Sequence, residues 1–110
     1  KVDTKTHQIV ATISLMDVTH DVAVTPDGRY LYVSLRNLNK IAVISTAEDR
    51  LVTTIPQGRK PDLVLMDPIG NVAYATNRHS GIVSVIDLRT HTVTGKISVG
   101  SNPHGMALQP

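Results

Sequence analysis

The chain has 110 residues, 41% apolar and 18% charged, with 11 Lys and Arg against 9 Asp and Glu. That length holds one small domain, and the composition argues against disorder. The lack of Cys excludes disulfides, thiolate metal sites and cysteine nucleophiles, the scattered net charge of +2 offers nucleic acid no basic patch, and no apolar run approaches the roughly 20 residues of a membrane span.

In chain order the pattern is strand after strand. Residues 8–14 read as a strand, and no apolar leader precedes them. Asp21 to Thr25 alternates around Val22 and Val24 and stops at the turn signal Pro26-Asp27-Gly28. Tyr30 to Ser34 is aromatic and β-branched and stops at Asn37-Leu38-Asn39. Ile41 to Ser45 is apolar throughout, and Leu51 to Ile55 alternates before Gln57-Gly58-Arg59-Lys60-Pro61. The same order returns at 63–66, 71–76, 82–87 and 93–98, and residues 104–108 begin it again. Turn breakers interrupt every stretch of about a dozen residues, which disfavours helix.

Self-comparison at an offset of 42 aligns the chain without a gap. Val10, Thr12 and Ile13 fall on Val52, Thr54 and Ile55. Pro26 and Pro68 fall in register with Pro110, and Tyr32-Val33-Ser34 falls on Tyr74-Ala75-Thr76. Four antiparallel strands per repeat of about 40 residues is the pattern of a β-propeller blade. The continuous apolar run of the third strand fits a sheet covered on both faces. The expected fold is all-β: about two and a half blades of a partial propeller over 1–110. Residues 1–19 end one blade, 20–61 and 62–103 form two whole ones, and 104–110 start the next. Nine or ten strands are expected. The two sheets should pack through Val22, Val24, Val33, Val43, Ile44, Val64, Ile82, Val85 and Ile86. Closed propellers have about 4–8 blades, so the chain is read as an excerpt of a longer polypeptide. Its partners are the rest of the propeller or other copies of itself.

Particular stretches carry a family resemblance. Gly100-Ser101-Asn102-Pro103-His104-Gly105-Met106-Ala107 resembles the entrance to the innermost strand of YVTN-type β-propeller repeats. Pro26 to Ser34 resembles their turn and second strand, Tyr74-Ala75-Thr76-Asn77 the tetrapeptide that names them, and Val85-Ile86-Asp87 with Thr90 their third strand and its turn. The match runs along the whole chain. It departs at Met16-Asp17-Val18-Thr19, where Gly and Pro are usual, and at Ile69, which replaces a turn Asp. The resemblance implies an extracytoplasmic or cell-surface protein, a binding or scaffold propeller with no one chemistry attached to the fold.

In a propeller the first strand of each blade lines the channel, and the loops before it and after the second strand share the top rim. That sends Arg36, Asn37, Arg59, Lys60, Arg78, His79, Ser101 and Asn102 to the top, and His7, Asp49 and His91 to the bottom. The candidate ligand site is the top of the channel. His20, Asp62 and His104 occupy one repeat position there, with Arg36 and Arg78 around them. Two imidazoles and a carboxylate suit a metal, a cofactor or acid–base work. No short-spaced ligand pair, nucleophile elbow, phosphate loop or HExxH occurs. No residue is therefore assigned as catalytic or as a dedicated metal ligand, and the binding module is expected to need no cofactor. It would take a protein or glycan on its top face. The alternative is part of a periplasmic redox propeller, similar to haem nitrite reductases, with haem or copper held over the channel by residues such as His20 and His104. His7 and His91 are expected as plain surface. Asp3 and Asp87 are expected to cap turns, and Tyr32 and Tyr74 to pack in the core.

Overall fold

A computed structural model describes residues 1–109. Eight strands form two antiparallel sheets, and no helix occurs among the described residues. The first sheet holds β1 (Thr19–Val24), β2 (Tyr30–Leu35), β3 (Lys40–Ser45) and β4 (Arg50–Pro56) in that order. The second holds β5 (Pro61–Asp67), β6 (Val72–Asn77), β7 (Ile82–Asp87) and β8 (Thr92–Ser98). Each strand of the second sheet begins 42 residues after its counterpart. The irregularities repeat too: pairing slips between Thr19 and Val22 and between Pro61 and Val64, and again at Val43/Ile44 and Val85/Ile86.

The turns follow from backbone chemistry. Residues at equivalent places take left-handed φ: His7 at 58°, Asp49 at 53° and His91 at 54°. Asn39 and Gly81 share another such place. Asp3 Oδ1 accepts from the backbone of Lys5 and Thr6, and Asp87 Oδ1 from that of Arg89, so both acids cap turns as expected. In the atypical first loop Met16 takes φ 56°. There the Asp17 carboxylate, held below its usual range, ties the segment to the amides of Val18, Asn37 and Leu38.

The core lies between the sheets. Tyr32, Ile41, Val43 and Ile55 of the first meet Val64, Ala73, Ala75, Ile86 and Leu88 of the second. A second cluster, Val33, Leu35, Ala42 and Ile44, lies on the far face of the first sheet under Ile13 and Leu15. Apolar residues therefore do point both ways along β2 and β3.

Several expectations need correction. Of the residues assigned to the inter-sheet contact, Val43, Val64 and Ile86 lie in it. Val33 and Ile44 belong to the far-face cluster. Val22 and Val24 pair with Val33 and Leu31 on that same face and are 58% and 55% exposed, because the Ile13–Leu15 segment does not reach them. Val85 pairs with Tyr74 on the outward face of the second sheet, and both are half-buried. Ile82 is half-buried at the sheet's upper end. Residues 8–14 form no strand: the single bridge Val2↔Ile9 marks the place. It is the repeat equivalent of Ile44↔Leu51 and Ile86↔Val93. Residues 104–108 form none either. A strand exists only through its ladder partner, and the described residues offer none to 104–108.

Candidate functional site

The channel-mouth residues are positioned by a hydroxyl that recurs with the repeat. The slip near the start of β1 and of β5 releases the amides of Asp21 and Leu63 from the ladder. Ser34 Oγ accepts the first at 2.9 Å and Thr76 Oγ1 the second at 3.0 Å. The same hydroxyls donate onward, Ser34 to the Asp62 carbonyl at 2.8 Å and Thr76 to the His104 carbonyl at 3.1 Å. Each second strand thus ties its own first strand to the start of the next repeat. Asp21 reinforces the link, its carboxylate accepting the Val64 amide at 2.8 Å. His20, Asp62 and His104 are brought side by side in this way.

Asp62 is the centre of the group and is fully buried. Arg36 Nη2 lies 3.1 Å and His20 Nε2 3.5 Å from its Oδ1, and His104 Nε2 lies 3.2 Å from its Oδ2. These are ion-pair distances, yet none is aligned as a hydrogen bond, and both carboxylate oxygens lack a hydrogen-bond partner. Removing a carboxylate from water costs several kcal/mol unless charge and hydrogen bonds replace the lost solvation (about that much per ion). Arg36 supplies the charge, and the hydrogen-bonding capacity stays open. The imidazoles are freer: the side chains of His20 and His104 are 29% and 55% exposed. Their rings stand edge to face with centroids 6.1 Å apart. An acceptor-rich floor under two movable imidazoles can take a cation or a ligand rich in hydroxyl donors, and can hold or pass a proton.

Arg78 is not part of this group. It is the repeat equivalent of Arg36, but the residue one repeat after Asp62 is His104, so no carboxylate awaits it. It lines a separate top cleft of about 690 Å³ with Arg59, His79, Ser80, Ser101 and Asn102. At the bottom, His91 is not plain surface: it packs edge-on against Tyr30 and meets the Tyr32 hydroxyl. His7 is exposed, as expected. The Ser34 and Thr76 links were missed at the sequence level, although their 42-residue spacing is visible there.

The comparisons agree with this architecture. Residues 3–104 match the model of the family described as "Lactonase, 7-bladed beta-propeller", and the chain belongs to that family. A 50-residue stretch is 50% identical to the PE-PGRS family protein PE_PGRS18 of Mycobacterium tuberculosis, covering 46% of this chain and 11% of that protein. The uncharacterized protein YncE of Salmonella typhimurium is 25% identical over 112 residues, covering 97% of this chain and 31% of the other. Hydrazine synthase of Kuenenia stuttgartiensis matches with a TM-score of 0.85 at 23% identity, over 92% of this chain and 29% of that one. At that identity the likeness shows the fold alone. The chain thus spans less than a third of the length of these relatives. No helix among the described residues is long and apolar enough to cross a membrane.

Proposed function

We propose that this chain is a segment of a YVTN-type propeller that acts outside the cytoplasm as a binding module, taking a protein or glycan on its top face at the channel mouth. One observation carries the reading: Asp62 is fully buried, flanked by His20, His104 and Arg36, and neither carboxylate oxygen has an aligned hydrogen-bond donor. The two partly exposed imidazoles present ring nitrogens to the hydroxyls of a sugar, and the buried carboxylate beneath them becomes an acceptor for the ligand once an imidazole swings aside. Arg36, and more distantly Arg78 in the neighbouring cleft, would add charge for an acidic group on the ligand. The test is binding of the full polypeptide to a glycan array and to cell-surface fractions, with and without the exchange of His20 and His104 for Ala. Loss of binding with an unchanged melting profile supports the reading, and equal binding moves the site away from the channel mouth. Cell fractionation tests the location.

A second reading, hydrolysis of a lactone, draws on the family match and on the pairing of imidazole with buried carboxylate. An imidazole would take a proton from the attacking water, Asp62 would steady the imidazolium, and the ring C–O bond would break as the proton passes to the leaving oxygen. Hydrolysis of δ-gluconolactone above the spontaneous rate, lost in His104→Ala, would favour it. The redox alternative uses the same imidazoles for haem or copper and needs further ligands from repeats outside this chain.

A further inference from the structure

We infer that His20, Asp62 and His104 form a binding site for one divalent transition-metal ion of the zinc type, the inorganic part of what the channel mouth holds. The inference rests on the channel mouth being the ligand site.

One donor atom from each of the three residues lies within 4.8 Å of the others. Zinc bound to nitrogen and oxygen at about 2.0–2.2 Å places tetrahedral donors somewhat over 3 Å apart. The set therefore needs to close by about an ångström or more, and the two partly exposed imidazoles can make that movement by rotating. The buried carboxylate cannot move far and does not need to. Its free acceptor capacity is the second, independent sign of a ligand, because a buried anion with no aligned donor is costly to keep.

Arg36 fits this arrangement. It sits on Oδ1, which His20 also faces, whereas His104 faces Oδ2, so His20 has to swing across to Oδ2 to join the metal. A metal-bound carboxylate commonly has its other oxygen held by an outer partner, which fixes its direction. Oδ2 then serves as the ligand and Arg36 as that outer partner. Two imidazoles and one carboxylate select zinc, copper or nickel over magnesium and calcium, which prefer all-oxygen shells. Three protein ligands leave a fourth position open, where an exogenous donor can bind.

The experiment uses the full polypeptide, free of any histidine tag, titrated with Zn²⁺ against a chromogenic chelator and with Co²⁺ as a spectroscopic stand-in. One Zn²⁺ per chain is expected, with visible Co²⁺ absorption of tetrahedral strength and no competition from a large excess of Ca²⁺. His104→Ala and His20→Ala should each weaken Zn²⁺ by at least about tenfold, since even outer partners of metal ligands are worth that much. His79→Ala, in the neighbouring cleft, should leave it unchanged. His104 is half-exposed, so its replacement leaves folding intact and keeps the test interpretable. No stoichiometric Zn²⁺, or equal Zn²⁺ affinity in both channel-mouth variants, overturns the inference. Ligand binding that survives a chelator while Zn²⁺ fails to bind removes the metal and leaves the binding module standing. Zn²⁺ binding without any ligand recognition does the reverse.

Discussion

The Tyr32 hydroxyl lies 2.6 Å from His91 Nδ1, and this contact joins two repeats 59 residues apart in sequence. Burial lifts the phenol well above its usual range and depresses the imidazole, so both groups favour their neutral forms. With the imidazole proton on Nε2, the hydroxyl donates to Nδ1. Tyr30 closes the contact from the side, its ring centroid 4.7 Å from that of His91. Tyr32→Phe keeps the ring in the core and removes only the bond. It should cost about 1 kcal/mol, read as a lower urea midpoint with an unchanged slope. No change in midpoint would show that the contact adds nothing to stability.

The same pair gives stability a pH dependence of definite sign. The folded value of His91 is lowered from 6.5, with burial as the main cause, opposed by Asp27 and Asp87. As pH falls, the unfolded chain therefore takes up this proton before the folded one does. The contribution is complete above about 6.5 and is lost as pH falls through the folded value. His91→Asn suits the left-handed backbone at φ 54° and does not titrate in this range. The wild-type chain should lose more stability than His91→Asn between pH 7.5 and pH 5.5. Parallel curves would refute the assignment.

Ser34 and Thr76 hold equivalent links of unequal surroundings. Ser34 is buried and ties Asp21 to Asp62 within the described sheets, whereas the acceptor beyond Thr76 is the exposed His104 segment. Ser34→Ala strands a released amide and a carbonyl, at a cost of about 1–3 kcal/mol. Thr76→Val should cost less. Chemical denaturation of the two variants checks the order, and a reversed order would mean that the hydroxyl relay does not set the strand entrance.

Gly81 has φ 64°, and a Cβ there would meet the Gly100 carbonyl oxygen at 2.7 Å. Backbone cannot yield as a side-chain tip can. Gly81→Ala should lose about 1–2 kcal/mol from the left-handed conformation alone. It should also push the 100–104 segment outward. Faster amide exchange around residues 99–104 is the expected signature, and an unperturbed exchange pattern there would contradict it.

The outward face of the first sheet leaves Val22 and Val24 of β1 more than half exposed, with Leu51 of β4 43% exposed at the opposite edge. Expressed by itself, the 110-residue chain should associate through that face as concentration rises. Val22→Thr with Val24→Thr should weaken the association. Sedimentation showing a concentration-independent monomer would end this expectation.

The periodicity of the chain was enough to locate the eight strands within about two residues, their antiparallel order and the turns, because strand pairing between sequence neighbours depends on local pattern and turn chemistry. It also brought His20, Asp62 and His104 together correctly, since a common repeat position becomes a common place in space. Burial was not legible in the same way. Val22 and Val64 are one repeat position, but Val64 is 8% exposed and Val22 58%, because a sheet covers the one and nothing comparable covers the other. Arg36 and Arg78 diverge for a like reason: the first finds the Asp62 carboxylate one repeat ahead, whereas the position equivalent to that carboxylate for the second is His104, and Arg78 lines a separate cleft. The bond between Tyr32 and His91 and the orphaned oxygens of Asp62 depend on how two sheets pack, which strand pattern does not encode. Local alternation determines which way a side chain points, and only the assembled sheets decide what it meets.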